Sequence, residues 1–341
     1  MPLHLVVGGF FGDEGKGKIV AYLAASQRPW AVARTGATNA GHTVVHRGRV
    51  YKLRAVPSGF VHPGARLYIA RGALVDLEVL LSEARALGVL DRLRVDPQTG
   101  VITAEHVARE RGDQHLMKGI GSTGTGVGAA MVDRVLRRLR LARDYPELKS
   151  LLADTQAELF EALDAGRLVL VEASQGYWLS LYHGTYPYVT SRDTTAAAAL
   201  SELGLGPRDA WRITVVFKAY VTRVGGGPLP GELPHEKALE LGWAEYGTVT
   251  GRPRRVAPFN MELAWRAVRA NTATDIAVTK LDKLFPEARC ARSWGQLPRE
   301  ARAWLEELEH KLGAPVSLVG TGEDTACTID RSGELGLHPR R

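Results

Sequence analysis

The chain has 341 residues, a formal net charge of +7, 45% hydrophobic and 24% charged residues, the balance of a globular protein and not of a disordered or fibrous one. No apolar stretch approaches the ~20 residues that a membrane-spanning helix needs, and the two cysteines, Cys290 and Cys327, predict neither a disulfide framework nor a cysteine metal cluster. The positive charges lie in glycine-containing loops, not in a tail or an aromatic-interleaved stripe, which argues against nucleic acid and for an interior site for small polyanions.

The N-terminus MPLHLVVGG has no basic segment before its apolar run, so no signal or transit peptide is expected and a cytoplasmic location follows. Residues 3–7 read as a strand and 19–26 as a helix, with a glycine-rich loop between them. Residues 31–34 read as a second strand, and a hairpin is expected around Arg47-Gly48-Arg49. A strand over 66–70 and a helix over 76–87 follow. Residues 112–128, rich in glycine, serine and threonine, read as a mobile loop. A helix is expected over 146–165, a strand over 167–172 and a helix over 194–203. Beyond them come a strand over 212–219, a helix over 261–271 and a strand over 275–281. A helix over 298–312 starts at Pro298 and stops at Gly313. A strand over 316–319 comes last, and residues 331–341 read as a frayed tail. Several strands are apolar throughout, as in a parallel sheet covered on both faces. The expectation is one α/β domain over residues 1–330. Its P-loop-NTPase-like, mainly parallel central sheet is flanked by helices, with additional small β-hairpin and helical segments.

The segment Gly12-Asp13-Glu14-Gly15-Lys16-Gly17-Lys18 carries the most chemistry. A strand, a glycine-rich turn and a helix N-terminus present backbone N–H groups and partial positive charge to an anion, and Lys16 and Lys18 add full charges. It resembles a P-loop, but five residues separate Gly9 from Gly15-Lys16 and Gly17 replaces the usual serine or threonine. Asp13 is the unusual member, since a carboxylate beside phosphates must hold Mg²⁺ or take a substrate proton. The loop Thr35-Gly36-Ala37-Thr38-Asn39-Ala40-Gly41-His42-Thr43 also follows a strand, where α/β proteins bind ligands. In it His42 can act as donor or general acid. Gln175, in Glu172-Ala173-Ser174-Gln175-Gly176, joins Thr190 and Ser191 as neutral groups able to hold a base or phosphate. Arg252, Arg254 and Arg255, in GTVTGRPRR, suit bidentate recognition of carboxylate or phosphate. Thr279-Lys280-Leu281-Asp282 ends a strand like the guanine-reading signature of GTPases.

Together GDEGKGKIV, NAGHTVV, IGSTGTGVG with DRVLRR, EASQG with HGTYPYVTS, KAYVTRVGGGPLP, GTVTGRPRR and VTKLD resemble the adenylosuccinate synthetase family. They fall in the family's order from about residue 3 to 330, at the length of its short, archaeal members. The resemblance implies a ligase of purine biosynthesis and salvage that joins L-aspartate to IMP, with GTP as co-substrate and Mg²⁺ as cofactor. It gives adenylosuccinate, GDP and phosphate through a 6-phosphoryl intermediate. It implies Asp13, His42, Lys16 and Gln175 as catalytic, with Asp13 and the Gly41 carbonyl on Mg²⁺. GTP would meet Gly12, Glu14, Gly15, Lys16, Gly17, Lys18, Gly41, His42, Thr43, Arg254, Lys280, Leu281, Asp282, Gly320, Thr321 and Gly322. IMP would meet Asp13, Asn39, Ala40, Thr123, Gln175, Thr190, Arg252 and, from the neighbouring subunit of a homodimer, Arg137. Aspartate would meet Thr248, Val249, Thr250, Gly251, Arg252, Pro253 and Arg254. No nucleic-acid or membrane partner is implied.

Departures from the family pattern sit near these pockets. Phe11 replaces tryptophan, Ala173 a glycine, Thr125 an arginine, Pro253 an arginine, Gly231 a threonine and Glu323 a proline. Alanine at 173 would cost on the order of 1 kcal/mol if the backbone there needs a positive φ. These changes keep open a variant ligase for a guanine nucleotide, as in phage relatives, or a GTP-binding paralogue without turnover. Phage relatives replace the loop aspartate, and a degenerate copy would have lost Asp13, Lys16, His42 or Gln175; all four are retained.

Overall fold

The computed structural model describes residues 2–246, 251 and 253–337. In chain order its strands are β1 (Leu3–Gly8), β2 (Ala31–Arg34), β3 (His42–His46), β4 (Arg49–Leu53), β5 (Arg66–Ile69), β6 (Leu74–Asp76), β7 (Leu93–Val95) and β8 (Gly100–Ile102). They continue with β9 (Val169–Glu172), β10 (Ala210–Lys218), β11 (Tyr220–Arg223), β12 (Arg255–Pro258), β13 (Asp275–Thr279), β14 (Val316–Gly320) and β15 (Thr328–Asp330). The α-helices are α1 (Lys16–Gln27), α2 (Leu77–Leu87), α3 (Ala104–Gly112), α4 (Val127–Val135), α5 (Thr155–Asp164), α6 (Ala196–Leu203), α7 (His235–Glu240), α8 (Met261–Ala270), α9 (Leu281–Leu284) and α10 (Arg299–Leu312).

Nine of these strands form one sheet in the order β15-β14-β13-β10-β1-β9-β2-β5-β7. All its pairings are parallel except that of β15 with β14 at one edge. β1 lies between β9 and β10, and Leu3, Leu5, Val6 and Val7 have no exposed surface. A central parallel strand covered on both faces has no polar face to alternate with, which is why LHLVVG is apolar almost throughout. Each such side chain contributes about 1.5–3 kcal/mol of burial free energy. The parallel order sends the loops after β1, β2, β9, β13 and β14 to the same edge of the sheet, where ligands collect.

The expected hairpin is present as β3 and β4, paired antiparallel from His42–Leu53 to His46–Arg49. The helix expected over 146–165 is two pieces. A 3₁₀ segment, Pro146–Leu151, stops before Asp154, whose carboxylate accepts from Ala157 N at 3.1 Å and caps α5. Residues 112–128 are not all loop: a π-helical turn spans His115–Ile120, and α4 begins at Val127. The expected frayed tail is docked as far as Leu337. Arg212 donates through Nη2 to Ser332 Oγ at 3.1 Å and through Nη1 to the Leu337 carbonyl at 3.2 Å. Residues 338–341 lie outside the described residues.

The two cysteines correct the sequence reading, because Cys290 and Cys327 form a disulfide with Cα atoms 4.4 Å apart. They are distant in sequence, and the turn after α9 brings one beside the end of β14. Ala173 is not among the residues with positive φ and is buried, so the cost expected for it does not arise.

Candidate active site

α1 starts directly from Gly15, at φ 87°, with no side-chain cap and no acid in its first turn. Its first N–H groups therefore point into the cleft unopposed. Glu14 does not face a ligand. It is 1% exposed, accepts from Phe10 N at 3.0 Å and Gly12 N at 2.8 Å, and pairs with Lys16 Nζ at 2.6 Å. It braces the loop from within. Gly17 has no room for the hydroxyl residue of a P-loop, because a Cβ there would lie 2.9 Å from His42 Cβ. Asp13, Gln175 and Lys280, none of them glycine, all hold positive φ at the cleft (61°, 56° and 60°). Such conformations cost about 1–3 kcal/mol each and collect at functional sites.

The cleft consists of two adjoining pockets. One is lined by Phe11, Asn39, Ala40, Thr123, Gln175, Thr190, Ser191 and Arg223, among others. The second is lined by Gly15, Gly17, Lys18, Thr43, Glu245, Arg254, Lys280, Gly322 and Glu323, among others. Asp13, Lys16, Gly41 and His42 line both. The structure thus brings Asn39, Ala40, Thr123, Gln175 and Thr190, expected around IMP, to one side, most of the residues expected around GTP to the other, and Asp13, Lys16 and His42 of the catalytic set to the boundary.

Within the first pocket Gln175 Nε2 donates to Asn39 Oδ1 at 2.9 Å, and Gln175 Oε1 is buried without a partner among the described residues. Asp282 does not line the second pocket, although its neighbour Lys280 does; its Oδ1 is buried without a hydrogen-bond partner among the described residues. Glu323 lines this pocket as expected. Leu281 instead sinks into the core, and Thr321 Oγ1 donates to the Ala291 carbonyl at 2.7 Å. Lys18 Nζ is turned away from the glycine-rich loop, toward the carbonyls of Gly322 and Cys327. Arg254 Nη2 lies 3.0 Å from Asp13 Oδ2. Gly251 and Pro253 are exposed. Thr248, Val249, Thr250 and Arg252 lie outside the described residues. Arg137 is exposed just beyond α4 and lines neither pocket.

Three residues given no role from sequence shape the site. Glu172, fully buried at the end of β9, accepts from Ser58 N at 2.6 Å, from Ser58 Oγ and from His42 Nδ1. Burial alone would raise its pKa, but His42, Arg34 and the Ser58 hydrogen bonds outweigh it and hold the carboxyl at about 2. Burial and the Arg34 charge lower the pKa of His42 against the pull of Glu172. An ionised Glu172 can only accept, so the Nδ1 of His42 that faces it carries a proton. Glu245 gathers Lys218 Nζ at 2.9 Å, Tyr220 Oη and Arg254 Nη1. Arg223 joins two loops by donating to the Tyr188 carbonyl at 2.8 Å and the Pro228 carbonyl at 2.7 Å, and its guanidinium lies 4.4 Å from the Phe11 ring centre. The sequence signals were present, since Glu172 stands in EASQG and Arg223 in KAYVTRVGGG, but their partners come from remote segments.

The adenylosuccinate synthetase family model matches residues 5–145 and 139–289. The adenylosuccinate synthetase of Archaeoglobus fulgidus is 48% identical over 331 residues, covering 97% of this chain and 98% of that protein. That of Methanocaldococcus jannaschii is 48% identical over 335 residues, covering 97% of each. Among solved structures, a fully ligated adenylosuccinate synthetase from Plasmodium falciparum superposes with a TM-score of 0.88 at 23% identity, over 96% of this chain and 99% of that one, a likeness of fold. A cyanophage S-2L succinoaminodeoxyadenylate synthetase bound to dGMP and dATP superposes with a TM-score of 0.81 at 28% identity, over 98% of both chains. With matches of this identity along nearly its whole length, the chain belongs to the adenylosuccinate synthetase family.

Proposed function

We infer that this chain carries out its family's reaction, the GTP-dependent joining of L-aspartate to IMP to give adenylosuccinate, GDP and phosphate. The observation that carries the assignment is the shared boundary of the two pockets. A purine oxygen bound beside Gln175 and a phosphate chain bound beside the N-terminus of α1 would meet at Asp13, Lys16, Gly41 and His42, which line both pockets.

The 6-oxo group of IMP is a poor leaving group and is first converted to a phosphate. Asp13 takes the N1 proton, and the resulting 6-oxyanion attacks the γ-phosphorus of GTP as the bond to the β-phosphate oxygen breaks. Lys16 neutralises charge on the transferred group, and His42 gives a proton to the leaving oxygen. The arriving phosphates favour the imidazolium form of His42, with Nδ1 still donating to Glu172 and Nε2 free to donate to phosphate. The amine of aspartate then attacks C6 and phosphate departs. Alignment and charge neutralisation suffice for such a transfer.

Asp13 and the Gly41 carbonyl are the proposed protein ligands of Mg²⁺. No group of three or more His, Cys, Asp or Glu side chains able to hold a metal forms among the described residues. One carboxylate and one carbonyl still fit Mg²⁺, which keeps waters and takes other ligands from substrate phosphates. When bound, the ion supplies charge neutralisation to the β- and γ-phosphates. Asn39, Ala40, Thr123 and Thr190 are proposed to hold IMP, Lys280 and Asp282 the guanine, and residues 248–254 the aspartate. The buried, unpartnered Asp282 Oδ1 supports the guanine assignment, since guanine offers N–H donors there.

A homodimer in which Arg137 reaches the neighbouring site is proposed as well. Its support is an exposed apolar strip at the end of α4, with Val132 53% and Val135 71% exposed, followed by Leu136 at 55% and the exposed Arg137. A cytoplasmic setting is proposed; no helix of the described residues is long and apolar enough to cross a membrane. The test is a turnover assay with GTP and aspartate against IMP, dIMP, GMP and dGMP, following the succinyl-nucleotide by mass. Product from IMP is expected; product only from a guanine nucleotide would overturn the assignment.

A further inference from the structure

We propose that Lys18 is a positioning residue for base recognition: through the carbonyls of Gly322 and Cys327 it fixes the loop that faces the guanine of GTP. The proposal rests on the assignment of Lys280 and Asp282 to the base. Lys18 belongs to the glycine-rich loop and helix start that receive phosphates, yet its side chain is 6% exposed and its Nζ donates to the Gly322 carbonyl at 2.6 Å and the Cys327 carbonyl at 2.8 Å. These two carbonyls are more than 300 residues away in sequence and stand at the two ends of one short loop. The loop is closed at its base by Thr321 N donating to the Cys327 carbonyl at 3.0 Å, by Cys290 N donating to the Thr321 carbonyl at 2.7 Å and by the Cys290–Cys327 disulfide.

β14 ends in a residue that makes room for the contact. A Cβ on Gly320 would lie 2.9 Å from Lys18 Nζ. Within the loop, Gly322 and Glu323 line the nucleotide pocket together with Lys280. An ammonium has three donors, and two are committed to carbonyls here, so at most one remains for a phosphate. Charge-assisted bonds in a dry interior are stronger than neutral ones. Burial, with Lys280 adding to it, lowers the Lys18 pKa to about 7 against the pull of Asp282. Helix α1 thus locks the base-reading loop to the same element that receives the phosphates.

The experiment compares full-length Lys18→Met, Lys18→Arg, Gly320→Ala and Asp282→Asn enzymes with GTP and with inosine triphosphate, which lacks the 2-amino group. Lys18→Met is expected to raise the KM for GTP roughly 10-fold or more while the KM values for IMP and aspartate stay within about threefold. Its preference for GTP over inosine triphosphate is expected to fall roughly fivefold or more. Lys18→Arg and Gly320→Ala, which disturb the same contact without removing the charge, are expected to lower that preference too. They decide the matter if Lys18→Met does not fold. A loss of kcat with the nucleotide preference unchanged in these variants would overturn the proposal and make Lys18 a phosphate ligand. If Asp282→Asn leaves the preference unchanged, the base assignment itself fails. If only Asp282→Asn changes it, the Lys18 proposal fails alone.

Discussion

Arg254 stands between two carboxylates: its Nη2 lies 3.0 Å from Asp13 Oδ2, and its Nη1 is bonded to Glu245. Without nucleotide, this guanidinium compensates Asp13, the carboxylate proposed to work beside phosphates. Glu245 also holds the buried Lys218 at 2.9 Å. Glu245→Ala would take its ion-pair partner from the buried Lys218, whose pKa burial already lowers, and leave it the Thr222 hydroxyl as acceptor, which costs about 3–5 kcal/mol. Urea unfolding of the variant is expected to show a loss of this size together with a fall in kcat/KM. A change below about 1 kcal/mol would show that Glu245 does not carry the network.

Glu172 sets the tautomer of His42 through a hydrogen bond to Nδ1. Glu172→Gln retains the shape but presents an amide to the imidazole and weakens the imidazolium proposed for the leaving-group step. The kcat is expected to fall by about 10²–10⁴, the usual worth of a positioned general acid. The alkaline limb of its pH profile is expected to move to lower pH. An unchanged profile with lower activity would assign Glu172 a purely structural role.

His4 supplies a stability test away from the site. Burial, with Arg212 adding to it, lowers its pKa to about 3, while Nε2 is hydrogen-bonded to Thr214 Oγ1 at 2.7 Å. The unfolded chain binds a proton near pH 6.5 and the folded protein does not, so stability falls as pH drops through this window. Between pH 6.5 and 4 the group accounts for roughly 3 kcal/mol of that loss. Denaturant unfolding of His4→Gln at the two pH values is expected to show a correspondingly shallower dependence. An equal dependence in both proteins would refute the assignment.

The disulfide closes a loop of sequence separation 37. The unreduced, denatured protein is expected to show no free thiol by titration. Reduction, or Cys290→Ser with Cys327→Ser, is expected to cost about 3–4 kcal/mol by chain-entropy reasoning. Two free thiols per chain, with unchanged stability on reduction, would be the contrary result.

The phosphate-facing half of the site is legible in the sequence because its chemistry is local. A strand, glycines, an acid, two lysines and a helix fall within a few turns of chain, and the second loop repeats the pattern around His42. What depends on remote partners is not legible. Glu172 meets Ser58 and His42 across 114 and 130 residues, and a strand-end acid alone does not say so. Lys18 reads as a phosphate ligand until its carbonyl partners come into view. The break before α5 depends on one aspartate capping a helix after an apolar run that reads as continuous. α4 lies hidden in the glycine- and serine-rich segment that precedes it. The cysteine pair depends wholly on tertiary folding.

The central claim is that Asp13 converts an inert purine oxygen into a nucleophile. Its most direct measurement is a single-turnover assay of Asp13→Asn with GTP, IMP and aspartate, following adenylosuccinate formation. The account predicts no detectable product while the variant still folds and binds IMP. A rate above about a tenth of that of the parent enzyme would contradict it, since loss of a group made essential by transition-state chemistry cannot cost so little.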